Sequence, residues 1–231
     1  MLKKAEIQQI IDASLVSGAD FSELFFENTL NKVTGVMRGE VTSVDNNQIY
    51  GVGVRLLQGV DEVYGYTNDV SYEAVLKLAQ NLAASFEGKK HPSHRLGQSK
   101  VYPNYILKPH TSMTQKEKSK RLIELSKRML AKDQRIVQSI VRLVETTQKV
   151  LIANSQGVYQ DDVRTYTRVV LIAVAQQGEH MQEAFEGPGR HMGLEIFDVL
   201  DFDKLADDVV ESALLLLDAK DIEPQVMPVV I

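Results

Sequence analysis

Apolar residues recur at Ile7, Ile10, Ile11 and Leu15, a spacing that puts all four on one face of a helix, and Gly18 follows as its closing residue. The stretch "FSELFFEN" then turns to strand-like content. From Val33 to Thr67 short runs rich in Val, Tyr, Ile and Thr alternate with turn signals at Gly39, Asp45-Asn46-Asn47 and Gln58-Gly59, which predicts an antiparallel meander. Asp69 or Ser71 can cap a second helix whose Val75, Leu78, Ala79, Leu82 and Phe86 share a face, and Gly88 ends it. Residues 89–112, with Pro92, Pro103 and Pro109, read as a surface connector.

The same order then returns. Thr114 and Glu117 form a capping box ahead of a helix carrying Leu122, Leu125 and Met129, and "QRIVQSIVRLVETT" reads as strand. Turns are expected at "ANSQG" and "YQDDV", strands over Arg168–Ala175 and after Gly178, and a last helix through Leu205, Val209, Ala213 and Leu216. At an offset of 117 residues Val33 meets Val150, Val41 meets Val158 and Val52 meets Val169, the mark of an internal repeat. Antiparallel strands with segregated helices define an α+β class, a two-layer sandwich of meander sheet and helices with two similarly ordered sub-units, about 1–88 and 113–220. Together these make a domain over 1–222. After Asp218, Asp221 and Glu223, the apolar run Val226, Met227, Val229, Val230 and Ile231 around Pro228 reads as the opening strand of a further domain, 223–231.

Composition narrows the chemistry. The 231 residues are 44% hydrophobic and 25% charged, ordinary globular values. No stretch approaches the roughly 20 apolar residues of a membrane-spanning helix, and Glu6 and Asp12 interrupt any secretory leader, so no membrane partner and a cytoplasmic location are expected. With no cysteine there is neither a disulfide framework nor a thiolate ligand. The net charge of −5 conceals a segregation: residues 87–133 hold 12 Lys/Arg against 4 Asp/Glu, and residues 194–223 hold 2 against 10. The basic stretch could meet nucleic acid, but its only aromatic interleaving is Tyr102 to Tyr105, so a solvated helix face is the preferred reading.

Candidate sites are few. "GVGV" at 51–54 lacks the third glycine and following helix of a dinucleotide loop and reads as close backbone packing in a strand. His180, Glu183, Glu186 and His191 are metal-ligand types, yet their neighbours show strand alternation running into the Gly187-Pro188-Gly189 turn, so no metal site is assigned. His91, His94 and His110 fall in the connector as surface polar residues. Asp201, Asp203, Asp207 and Asp208 stand at the start of the last helix, where carboxylates suit the positive end of its dipole. No catalytic, cofactor or metal residue is assigned.

The segments "GADFSELFFEN", "YGVGVRLLQGVDEVYGYTND", "VLIANSQGVYQDDVRTYTRVVLIAVAQQGEHMQEAFEGPGR" and "VMPVVI" together resemble the N-terminal domain of the TldD/PmbA family, also named for a proposed role as modulators of DNA gyrase. In TldD-like members the strand resembling "MPVVI" leads to a Gly-rich segment and a His-Glu-x-x-x-His helix that binds zinc. The resemblance therefore implies a cytoplasmic zinc metallopeptidase acting on flexible peptides in a homo- or hetero-dimer, with its zinc motif and C-terminal metallopeptidase domain beyond Ile231. It implies that this chain shapes the substrate cavity and subunit contacts and holds no cofactor itself. Two alternatives stand beside it: a PmbA-like non-catalytic partner subunit, and a binding module associated with gyrase or nucleic acid.

Overall fold

The computed structural model describes residues 2–100, 105–220 and 225–230. In chain order it runs through helix α1 (Lys4–Ser14), strands β1 (Phe21–Met37), β2 (Glu40–Gln58) and β3 (Asp61–Thr67), and helix α2 (Tyr72–Ala83). A 3-10 turn at His110–Ser112 leads to α3 (Gln115–Lys132), β4 (Ile136–Asn154), β5 (Tyr159–Gln177), β6 (His180–Glu186) and β7 (Gly189–Arg190). The short α4 (Ile196–Val199) and α5 (Phe202–Leu217) follow. The strands form one seven-stranded antiparallel sheet in the order β3-β2-β1-β4-β5-β6, with β7 against β5, and with the helices this is the expected α+β class.

Turn chemistry fixes the strand pairs. Arg38 and Gly39 both have positive φ, 52° and 79°, as a two-residue type I′ hairpin requires, and this turn joins β1 to β2. The β2–β3 hairpin closes on Gln58↔Asp61 with Gly59 at φ 62°, and the β5–β6 hairpin closes on Gln177↔His180 with Gly178 at φ 62°. A glycine with positive φ in the first loop position is the type II′ arrangement. The two hairpins are copies: β5 and β6 start 119 residues after β2 and β3 (159 against 40, 180 against 61). That spacing differs by two from the 117 suggested by the valines. Both offsets are odd and strand side chains alternate with period two, so the inward set is kept: Val52, Val54 and Leu56 in one copy, Val169, Leu171 and Ala173 in the other, all buried.

Two expected turns are not turns. Asp45-Asn46-Asn47 lies inside β2, and Asp161-Asp162 inside β5. Residues 45–50 are exposed, and a strand wetted on both faces needs ladder hydrogen bonds rather than apolar side chains, so its composition mimics a loop.

Two compact units arise, one drawn from residues 1–32, 46–107 and 145–166, the other from 33–45, 108–144 and 167–231. The helices follow the sequential division 1–88 and 113–220, whereas β1, β2, β4 and β5 pass from one unit into the other. Strands of 17 to 19 residues reach roughly 60 Å at about 3.3 Å per residue, more than one core can cover.

In the first unit the predicted faces of α1 and α2 pack on Leu24, Phe26, Val52, Val54 and Leu56. Gly18, at φ 109°, follows α1, and a Cβ there would lie 2.9 Å from the Cα of Gly88, which follows α2. Gln58 Nε2 donates to the Gly18 and Glu87 carbonyls at 3.1 and 3.2 Å, so both helix ends are tied to the β2–β3 hairpin. Ser71 caps α2, and Asp69 takes the Ser71 N–H at 2.9 Å, which holds the Asp69 carboxyl below its usual pKa. The connector is less free than its prolines suggested. Leu96 is buried, and its N–H donates to Gln8 Oε1 at 2.9 Å, while the N–H groups of His94 and Gly97 donate to the carbonyls of Ser155 and Gly157. Tyr102 and Pro103 lie outside the described residues.

In the second unit α3, with its Thr114–Glu117 capping box, packs Leu122, Leu125 and Met129 into a core with Val141, Leu143, Leu171 and α5. The buried stripe of α5 is Phe202, Ala206, Val209, Val210 and Ala213, while Leu216 is exposed. Phe202 meets Phe197 at 5.1 Å between centroids, and of the predicted face Val209 and Ala213 are buried and Leu205 packs against the core. Across α3 and α5 the segregated charges meet. Arg128 is bidentate to Asp207 at 2.9 and 2.7 Å and reaches Asp203 at 3.5 Å, and Lys132 reaches Asp207 and Glu211 at 3.3 and 3.6 Å. The Arg128 guanidinium holds the Asp207 carboxyl below the usual carboxylate range. Residues 225–230 join no strand, and Val226, Val229 and Val230 are exposed: an apolar run makes a strand only where a partner edge takes its backbone groups. Ile231 lies outside the described residues.

Two outcomes test this packing. Gly18→Ala combines a φ closed to L side chains with a backbone clash and should cost about 2 kcal/mol or more. Gly59→Ala, where the added Cβ meets nothing within 4 Å, should cost only ~1 kcal/mol. Equal urea midpoints for the two variants would contradict the Gly18–Gly88 contact. Asp207→Asn should lose about 1 kcal/mol at neutral pH and low salt, less in 1 M salt. Because the folded pKa of Asp207 is lowered, its contribution is present above the unfolded carboxylate range and fades as pH falls through the folded value, so the two proteins should converge in acid.

Candidate functional site

Strand alternation decides the fate of the His/Glu segment. On β6, His180, Glu183 and Phe185 pair with Gln177, Val174 and Ile172 of β5. His180 and Glu183 are three residues apart and so face opposite sides of the sheet. His180 and Glu186 share a side but stand about 20 Å apart along the strand. Among the described residues, no three His, Cys, Asp or Glu side chains gather in a way that could hold a metal ion.

The other flagged residues have local partners. His91 donates its backbone N–H to Leu15 O at 3.1 Å. His110 Nε2 lies 2.9 Å from Thr167 Oγ1, whose single hydrogen goes to Met192 O at 2.8 Å, so Nε2 is the donor toward the threonine. Asp201 accepts the Lys204 N–H at 2.9 Å and caps α5, Asp203 and Asp207 pair with Arg128, and Asp208 pairs with Lys204. Lys108 pairs with Asp198 at 2.6 Å, and Arg121 lies 4.7 Å over the Phe197 ring while donating to its carbonyl. Lys108, Arg128 and Lys132 of the basic stretch thus meet carboxylates of the acidic stretch in the second unit.

The face turned away from the helices carries the more distinctive surface. In β1 the residues between buried Ser22, Leu24 and Phe26 are Phe21, Glu23 and Phe25. Glu23 pairs with Arg55 of β2 at 3.1 Å, and the Arg55 guanidinium lies 5.8 Å over the Phe21 ring. On β3 Tyr64 and Tyr66 stand opposite Arg55 and Gly53, with Tyr66 74% exposed. "GVGV" packs as expected: a Cβ on Gly53 would lie 2.6 Å from Tyr64 Oη, and one on Gly51 2.6 Å from Thr67 O. In the second unit the outward face of β6 carries Met181 and Phe185, 56% and 67% exposed. Phe185 follows Tyr66 by the same 119 residues, so each copy presents an aromatic ring at one place on its last strand. The Glu23–Arg55–Phe21 cluster could not be read from sequence, because only the β1–β2 register brings its members together. Such surfaces suit contact with another chain; the residues brought together include no nucleophile paired with a base.

Comparison with known proteins places this arrangement. Residues 22–86 match the model of PmbA/TldA metallopeptidase domain 1, and residues 108–217 that of the PmbA/TldA metallopeptidase central domain. Metalloprotease TldD homologs of Buchnera aphidicola and Haemophilus influenzae are each 22% identical, over 92% and 100% of this chain. The chain spans about half the length of those curated relatives, 46% and 50%. Among solved structures, a protein of Bacteroides thetaiotaomicron named as a proposed modulator of DNA gyrase superposes with a TM-score of 0.75 at 15% identity, covering 95% of this chain and 51% of its own. TldE of Thermococcus kodakarensis superposes with a TM-score of 0.65 at 14% identity, covering 90% and 47%. With both domain models matched in order along the sequence, the chain belongs to the PmbA/TldD family.

Proposed function

We propose that this chain is the N-terminal scaffold of a TldD-like zinc metallopeptidase, helping to shape the cavity that receives flexible peptides and the contacts between subunits of a dimer. The observation that carries the reading is its alignment along nearly its whole length with about half of proteins named as metalloprotease homologs. The exposed Tyr66 and Phe185 on the outward faces agree with a role in holding peptide or partner. A hydrolytic zinc takes typically three protein ligands and an open position for water. The His, Asp and Glu residues described here do not fit that set, since β6 turns His180 and Glu183 to opposite sides, so no catalytic step is assigned to them. The zinc ligands and general base belong, in this reading, to residues outside the 231.

A second reading, a non-catalytic partner subunit, is favoured by one observation, the likeness to TldE. The gyrase-associated reading draws only on the names of structural neighbours and on a basic stretch whose Arg128 and Lys132 already have acidic partners.

The test uses residues 1–231 with an unstructured reporter peptide, followed by mass spectrometry with and without chelator. No cleavage is expected, whereas fluorescence anisotropy should detect peptide binding that weakens in the double variant Tyr66→Ser, Phe185→Ser. Chelator-sensitive cleavage by residues 1–231 alone would overturn the division of labour.

A further inference from the structure

A pocket of about 280 Å³ opens in the first unit on the side of the sheet that carries α1 and α2, and neither the sequence reading nor the family assignment gives it a use. Its lining consists of Phe26, Glu27 and Asn28 from β1, Tyr50 and Gly51 from β2, Val70 ahead of α2, and Lys149 from β4. Alternation explains why these residues meet. Phe26 and Asn28 share the inward parity of Leu24, Tyr50 that of Val52 and Val54, and Lys149 that of Leu151 and Ala153. The pocket is therefore the continuation of the core past the N-terminal end of α2, where no helix covers it.

Its chemistry is asymmetric. The walls are mostly apolar, with Phe26 buried and Tyr50 and Val70 partly exposed. Asn28 Oδ1 is engaged by Gln48 Nε2 at 2.8 Å. The backbone of Glu27 borders the pocket, but strand parity sends its carboxylate to the opposite face, where Thr29 Oγ1 and Gln148 Nε2 donate to it at 2.6 and 2.8 Å. Among the described residues no carboxylate or other side chain pairs with Lys149, which leaves an ammonium group with no counter-ion at the rim of an apolar hole. An apolar cavity with one convergent charge is the usual form of a small-ligand site, and a lysine without a partner selects an anion.

The geometry points to a binding site for an apolar carboxylate, a compound whose hydrocarbon or aromatic part fills the space between Phe26, Tyr50 and Val70 while its carboxylate meets Lys149. The C-terminal residue of a peptide with an apolar side chain has this chemistry, and so does a free aryl or alkyl acid. The inference does not rest on the proposed function: the site stands whether or not the chain serves a peptidase.

Three probes test it by following backbone amide resonances of residues 1–231 during titration: N-acetyl-phenylalanine, its uncharged amide, and 4-phenylbutyrate. The expected result is movement of resonances around residues 26–28, 50–51, 70 and 149, with the acids binding about tenfold more tightly than the amide. Lys149→Met should abolish that preference without disturbing other resonances, since the side chain is exposed. Val70→Trp should fill the cavity and block all three probes. Tighter binding of N-acetyl-phenylalanine than of 4-phenylbutyrate assigns a peptide terminus as the source, and the reverse order assigns a free acid. Equal binding of acid and amide, an acid preference that survives in Lys149→Met, or shifts confined to other parts of the chain would overturn the proposal.

Discussion

The backbone ladder through the four long strands is the constraint on which the rest depends. Every buried N–H and C=O of β1, β2, β4 and β5 needs a partner, and only a continuous sheet supplies one along 17 to 19 residues. Each core then draws on different parts of the same strands: Leu24 and Phe26 of β1 serve one and Val36 the other, while β4 gives Leu151 and Ala153 to the first and Val141 and Leu143 to the second. Neither half of the sequence can complete its core from its own residues, although each repeats the order helix, strands, helix.

That sharing bears on what the chain is suited to do. A sheet whose inward side chains are committed to two cores offers its outward side chains and last strands to whatever binds it. The Glu23–Arg55 pair and the Gly53–Tyr64 stacking hold part of that outward surface in one conformation, and a surface fixed in advance loses less entropy on binding. In the second unit the bidentate Arg128–Asp207 contact does comparable work for the helices. It joins part of the basic stretch to part of the acidic stretch, so some of the segregated charges are each other's counter-ions.

Much of this was legible in the sequence. The helix faces of α1 and α3, the Thr114–Glu117 box, the Gln58-Gly59 turn and the repeat all rest on local rules of spacing and turn chemistry, which act within a few residues. What failed depended on distant partners. Asp45-Asn46-Asn47 reads as a turn because a two-sided wet strand has loop-like composition. For the pocket at Lys149 the parity was available in the sequence but the register was not, since β1, β2 and β4 are brought side by side only by the sheet order. The family resemblance named the protein's kin without showing this site.

The paired Gln-Gly turns also bear on how the chain reaches its fold. A two-residue loop closes at little entropic cost, and hairpins form in roughly 1–10 μs, so β2–β3 and β5–β6 can each zip before anything else is in place. The join between β1 and β4 is different in kind. Thr146 meets Asn31 and Gln148 meets Glu27 across separations of 115 and 121 residues, and contacts that distant come slowly. Until that central seam closes, each copy has one long strand with an open inner edge. Those two edges are therefore the places where a wrong neighbour, including the same edge of another molecule, can pair before the right one arrives.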